Sequence, residues 1–381
     1  MKISAFYPNY FREVSVTYAC LSILDGMRAC GLDVGLMGIA SDVEVQREFY
    51  RDAIPRWAKP VAYRLVSVSQ LQSIAEWRFN RSLDGSEVVY LWPRTSAKVF
   101  QKLKERGHII LAENINTHQE TSKAILDEEF ARLGLTPSHG INKARIDDEN
   151  LKLSIADFVY SPGPLVTSSL LASGLAEGKI LESSYGIDSD AILPRDITVH
   201  EKRTGELTAI FVGLIGIRKG AHLLVEHWIR SGVEGKLKLV GDIDPGSRHL
   251  IEPFLSRPDI EHVQFTRDLH SIYREADIFL FPSLEEGSPL VTYLALGAGL
   301  PSIVSPMGGQ GVIRHGVDGL VCDPHNSDAW VESIRRVFTD TDLRMGLANN
   351  ARIRAHNYLW PKVARQRVDI LQSRLNAAGT G

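Results

Sequence analysis

Residues 277–305 read DIFLFPSLEEGSPLVTYLALGAGLPSIVS. Four apolar residues, Ile278 to Phe281, stand between Asp277 and Pro282, the pattern of a strand buried on both faces of a parallel sheet. A polar loop follows, Ser283-Leu284-Glu285-Glu286-Gly287-Ser288. Pro289 falls where the first turn of a helix accepts proline, and Leu290, Val291, Leu294 and Leu296 give that helix an apolar side. Gly297 and Gly299 end it, and Pro301 to Val304 begins the next strand. Strand, loop, helix and strand in this order form one βαβ unit, the connection that parallel strands require. The unit holds a carboxylate pair and a glycine at the C-terminal end of a strand, where open α/β sheets bind their ligands. Free amides at the helix start suit an anion or a sugar hydroxyl.

At 381 residues the chain exceeds one typical core and predicts two domains. With 44% hydrophobic and 23% charged residues and a net charge of −3, it has no overall electrostatic case for nucleic acid or membrane binding. Cys20, Cys30 and Cys322 are far apart without C-x-x-C spacing, which argues for reduced thiols in a cytoplasmic protein and against a disulfide framework or a zinc site. The apolar run at the N-terminus is too short for a signal peptide, and no segment approaches the ~20 apolar residues of a membrane span.

The same strand–loop–helix punctuation recurs along the chain. Strands are predicted at 2–7, Val34–Ile39, Glu87–Trp92, His108–Glu113, Asp157–Ser161, Ile180–Tyr185, Ala209–Gly213, Lys236–Gly241 and His262–Phe265. Helices are predicted at Ser15–Cys30, Thr95–Arg106, after Pro164, and from Leu269 to Glu275. Residues 189–206 are polar and proline-containing and are read as the linker. Arg218 and Lys219 stand at the exposed start of a helix, where two cations oppose the macrodipole unless an anion lies between them.

Glu286-Gly287, Leu290, Ala295, Gly299 and Pro301 fall in register with the donor-site signature of family 4 glycosyltransferases, E-G-x-x-L-x-x-x-E followed by A-x-x-x-G-x-P. Leu294 occupies the position of that family's second glutamate, which holds the ribose of the nucleotide. Further likenesses are Lys219-Gly220 to the K-G at a helix start, Tyr185-Gly186-Ile187-Asp188 to N-G-V-D, and Met307-Gly308-Gly309 to the G-G loop. Gly316 to Val321 resembles the D-G-x-x-G-L-L-V strand, and Tyr358 to Ala364 the closing helix motif. Two positions depart from the pattern. Leu214 replaces the usual arginine, for which Arg218 is the substitute, and the 8–14 loop lacks glycine, so a close phosphate contact from it is not expected.

The resemblance implies an α/β GT-B fold: two Rossmann-like doubly wound domains facing a cleft, 1–190 and 191–356, with 357–381 crossing back to the first. It implies a retaining glycosyltransferase moving a sugar from a UDP- or GDP-sugar to a glycan, lipid-linked or small-molecule acceptor, without metal or resident cofactor. Gly213, Gly216, Arg218, Lys219, Arg267, Leu269, Glu286, Gly287, Ser288, Pro289 and Leu290 would bind the donor. Arg218 and Lys219 would neutralise the leaving diphosphate, Glu286 would accept from a sugar hydroxyl, and His118 would face the acceptor. Thr292, Tyr293 and Glu285 are the polar groups that could replace the missing ribose contact. Two other readings stay open: a non-catalytic nucleotide-sugar-binding homologue or partner subunit, as Leu294 suggests, and a GT-B epimerase.

Residues 45–106 hold twelve Lys/Arg against six Asp/Glu, with Trp57, Trp77, Phe79 and Trp92 interleaved. Either these are solvated helix faces over buried aromatics, or they form a surface for the acceptor or for lipid headgroups at the inner face of the membrane.

Overall fold

The computed structural model describes residues 1–12, 14–42, 45, 47–83, 88–193 and 206–379. Most of the expected linker and Glu87, the first residue of one expected strand, lie outside these.

Two parallel sheets carry the chain. In spatial order the first contains Tyr50–Asp52, Asp33–Gly38, Lys2–Phe6, Val88–Leu91, Ile109–Glu113, Phe158–Ser161 and Ile180–Glu182. The second contains Ile260–Val263, Gly235–Val240, Leu207–Val212, Ile278–Phe281, Ser302–Val304 and Gly319–Val321. Val88–Leu91, Phe158–Ser161 and Ile278–Phe281 are buried at every position, which is why their sequences read as unbroken apolar runs. Helices cover the faces, and this is the doubly wound α/β architecture. Among the described residues no helix is long and apolar enough to cross a membrane.

Some boundaries differ from expectation. Pro289 precedes the helix Leu290–Gly297 as its N-cap, in extended backbone, and does not sit within its first turn. The strand expected over His262–Phe265 runs at Ile260–Val263, because buried Ile260 pairs with Leu237 while Gln264 and Phe265 are exposed. The 8–14 loop contains a two-residue strand, Tyr10–Phe11, paired with Ala40–Ser41 and anchored by fully buried Phe11.

The closing helix Trp360–Gly379 lies on Ser15–Ala29, where Gly26 leaves room for Ala364. It brings Arg367 into the first sheet. The guanidinium is fully buried and pairs with both oxygens of Glu113 at 2.9 and 3.1 Å. It also donates to the Ser184 carbonyl and the Tyr90 hydroxyl, and it lies 4.6 Å from the Tyr160 ring centre.

Candidate active site

The site follows from strand order. Leu207–Val212 and Ile278–Phe281 are parallel neighbours, but the chain continues from the first toward one sheet edge and from the second toward the other. Their C-terminal loops therefore open side by side at the point where the order reverses. Gly220 adopts φ 67°, and a Cβ there would lie 2.1 Å from the Pro282 carbonyl, so only glycine lets the two loops touch. Leu284 N donates to the Arg218 carbonyl at 2.9 Å and fixes their register.

This contact gathers four charges. Arg218 Nη1 donates to the Glu285 carbonyl and to its Oε2 at 2.9 and 3.1 Å, and lies 3.5 Å from Glu286 Oε1. Lys219 Nζ bonds Glu286 Oε1, and the ammonium sits 5.1 Å from the Phe281 ring centre. The conflict of two cations at a helix start is thus relieved by carboxylates from the adjoining loop. Lys219 is not exposed as expected: only 13% of its side chain is accessible, against 37% for Arg218, because it is roofed by the donor-like loop. Burial pushes the Lys219 ammonium down against the opposing pull of Glu286. Burial acts to raise the Glu286 carboxyl, but Lys219 and Arg218 outweigh it and hold the group below the usual glutamate range.

The other expected residues divide into those at this edge and those away from it. Gly213 follows its strand and backs onto the Lys219 methylenes, and Gly216 lies against Asp244. Gly287 and Ser288 continue the loop, with Ser288 Oγ 2.7 Å from the Tyr293 hydroxyl. Pro289 and Leu290 then lead into the helix. Arg267 is exposed in a bend before the helix Leu269–Glu275, two strands from the charge cluster, and Leu269 is partly packed into the core.

His118 does not face an open cleft. It is 1% exposed and caps the helix Gln119–Arg132, its Nδ1 accepting from Glu120 N and its Nε2 lying 2.9 Å from Asn150 Oδ1. The three polar candidates for the ribose are likewise committed. Thr292 bonds the Gly308 carbonyl, Tyr293 bonds Ser288 and the Tyr185 amide, and Glu285 is held by Arg218 and the first domain.

The first domain closes over the cluster. Thr117 Oγ1 and Ser122 Oγ donate to Glu285 Oε1 at 2.7 and 3.1 Å. A Cβ on Gly287 would lie 1.6 Å from the Ile115 carbonyl, so glycine is what admits the 115–117 loop. Phe130 packs with Ile217, Leu223 and Leu284 across the same boundary. Gln310, at φ 40°, donates to the Glu286 carbonyl and accepts from Leu165 N, linking the loop to the start of a first-domain helix. Beside these, buried Glu129 binds Arg132 and, from the second domain, His222 at 2.5 Å and His325 at 3.4 Å.

Sequence reading missed Thr117, Ser122, Glu129 and Gln310 as members of the site. The 114–123 polar tract was the one local signal, and the partners across the domain boundary lie more than 90 residues away.

The Glu129 contacts predict an acid response. Burial alone would raise this carboxyl, but Arg132 and His222 hold it at about 2, below its ordinary 4.5. A depressed carboxyl contributes stability that is complete above its ordinary value and is lost as pH falls toward the folded one. Wild type is therefore expected to lose more stability than Glu129→Gln between about pH 5 and about pH 3 in urea titrations. Equal losses would remove Glu129 as an acid-sensitive tie.

Residues 206–340 match the family model described as Glycosyl transferases group 1. A D-inositol 3-phosphate glycosyltransferase of Pseudarthrobacter chlorophenolicus is 25% identical over 223 residues, 51% of this chain and 53% of that protein. The chain spans about half or less of the length of the curated relatives it matches. Among solved structures, sucrose-phosphate synthase of Thermosynechococcus elongatus superposes with a TM-score of 0.74 at 19% identity, over 99% of both chains. Anabaena HepE in complex with UDP and glucose gives 0.70 at 15%, over 98% of this chain and all of that one. The fold is GT-B, two Rossmann-like domains face to face. Within that class, residues 206–340 carry the similarity to the glycosyl transferases group 1.

Proposed function

We propose that the protein is a retaining glycosyltransferase that moves a hexose from a UDP- or GDP-sugar to a hydroxyl of a glycan, lipid-linked or small-molecule acceptor. The observation that carries this reading is the Arg218–Lys219 pair set at the strand-order switch against Glu285 and Glu286. A nucleotide sugar leaves behind a diphosphate, and preorganised cations in a site shielded from water stabilise the charge that develops there. On donor entry Arg218 and Lys219 exchange carboxylate oxygens for phosphate oxygens, without a metal ion. Glu286, released from Lys219, accepts a hydrogen bond from a sugar hydroxyl.

The bond from the anomeric carbon to the diphosphate breaks, and the bond to the acceptor oxygen forms on the same face. The acceptor proton passes to the departing phosphate oxygen. The amides of Gly287, Ser288 and Leu290 line the sugar once the 115–117 loop withdraws. Buried His118 holds that loop and its helix in position, a positioning role for the acceptor side.

HepE, which shares the fold, has been captured with UDP, and the sequence relatives are described as transferases; both support the donor class and do not favour the non-catalytic alternative. A cytoplasmic setting accords with the three free thiols.

A thermal-shift screen against UDP-, GDP- and ADP-sugars tests the proposal. One nucleotide series at saturating concentration should raise the melting temperature by a few degrees, as ligand linkage requires. No shift with any of them would overturn it. Leu294, half-buried on the Leu290–Gly297 helix, stands where the resembling family has its ribose-binding glutamate. Leu294→Glu should tighten nucleotide binding by about 1 kcal/mol, the scale of one net hydrogen bond. Lower melting with no gain in calorimetric affinity would show that the side chain serves only packing.

A further inference from the structure

Of fifteen exposed large apolar side chains among the described residues, seven fall between 57 and 77. They are not scattered. The short helix Lys59–Leu65 and the helical turn before it are built inside out. Ala58 and Ala62, four apart, pack against the core, whereas Trp57, Val61 and Leu65, also four apart, face solvent at 85, 61 and 75% exposure. A helix that serves only to cover a water-soluble core places its large side chains inward. Exposed apolar groups gathered on one face mark a surface that meets something else. Val68 and Trp77 on the next helix, Val68–Ser82, are also open, at 64 and 58%.

Charge decides what that something is. Arg56, Arg64, Arg78 and Arg81 are exposed on the same segment, and the Arg81 guanidinium lies 5.0 Å from the Trp77 ring centre. Residues 45–106 hold twelve basic against six acidic side chains, while the whole chain is at −3. A basic rim around Trp and Leu is complementary to anionic headgroups over an acyl boundary, and an apolar stripe this short lies in the interface without spanning it.

We infer that the 56–82 segment docks the protein on an anionic lipid bilayer, with Trp57, Val61 and Leu65 entering the interface and the exposed arginines meeting the headgroups. This goes beyond the transfer reaction and does not depend on it.

The test is co-sedimentation of the full chain with vesicles of phosphatidylglycerol and phosphatidylcholine, against phosphatidylcholine alone, at low and high salt. Binding should require the anionic lipid, weaken with salt, and fall about tenfold or more in Trp57→Ser/Leu65→Ser through lost apolar insertion. Both sites are exposed, so the variant should melt like wild type. Arg64→Glu/Arg81→Glu should weaken binding to anionic vesicles at low salt. Equal binding to neutral and anionic vesicles, full binding by the Trp57/Leu65 variant, or no sedimentation with any vesicle would each overturn the proposal. If lipid binding is absent and the wild type self-associates while the Trp57/Leu65 variant does not, the face belongs to a protein contact.

Discussion

Arg367→Ala is expected to destabilise the protein by about 3–5 kcal/mol, the cost of breaking a fully buried ion pair from one side. Its partner Glu113 has no accessible side-chain surface, and no water can replace the guanidinium without opening the sheet edge. The loss extends beyond the pair. Arg367 also satisfies the Ser184 carbonyl and bonds the Tyr90 hydroxyl, and its own carbonyl accepts from Tyr160 at 2.6 Å. The closing helix is thereby tied to three strands of the first sheet and to the loop after a fourth. Urea unfolding should show the midpoint falling steeply for Arg367→Ala. Arg367→Met/Glu113→Gln should recover much of the loss, because no charge is left stranded. A single variant within 1 kcal/mol of wild type would show that the pair is not an anchor.

Lys219→Ala should lower turnover about a hundredfold or more, the effect of removing a charge-stabilising donor. It should also destabilise the fold by about 1–3 kcal/mol, since Glu286 would lose its closest cation in a buried setting. The second effect was not legible from sequence, where Lys219 reads as an exposed helix start. Lys219→Met/Glu286→Gln separates the two. Stability should return, as neither side chain is left charged and unpaired, while turnover stays low. Turnover near wild type in Lys219→Ala would remove this group from the chemistry.

Most of the architecture could be read from the chain because the central strands of both sheets are buried on two faces. Runs such as Ile278–Phe281 and Val88–Leu91 have no polar positions to obscure them, and glycine, proline or aspartate marks many of their ends. The donor-like loop was legible for the same reason: Glu286, Gly287 and Pro289 are close in sequence. What escaped is held by contacts between distant segments. Glu285 appears in sequence as one of two acids, but its role as a tie to Thr117 and Ser122 depends on domain closure across more than 160 residues. Glu113 and Arg367, 254 positions apart, look like ordinary charges until the last helix returns to the first sheet. His118 was located correctly after its strand, but its cap geometry, which turns the ring toward Asn150, carries no sequence signature. In the helix Lys59–Leu65 and the turn before it, the alternation of alanine with Trp57, Val61 and Leu65 shows that one face is small and one large. It does not show which of the two looks outward.

The proposed reaction requires Arg218 and Lys219 to bind the diphosphate of a nucleotide sugar. Isothermal titration of the wild type and of Lys219→Met/Glu286→Gln with UDP, GDP and ADP, and with the corresponding nucleosides, tests it most directly. One nucleoside diphosphate should bind wild type, its nucleoside should bind much more weakly, and the folded double variant should lose about tenfold or more in affinity for the diphosphate, as removal of a charge-assisted contact implies. Equal affinity of both proteins for the diphosphate, or equal affinity of wild type for nucleotide and nucleoside, would contradict it.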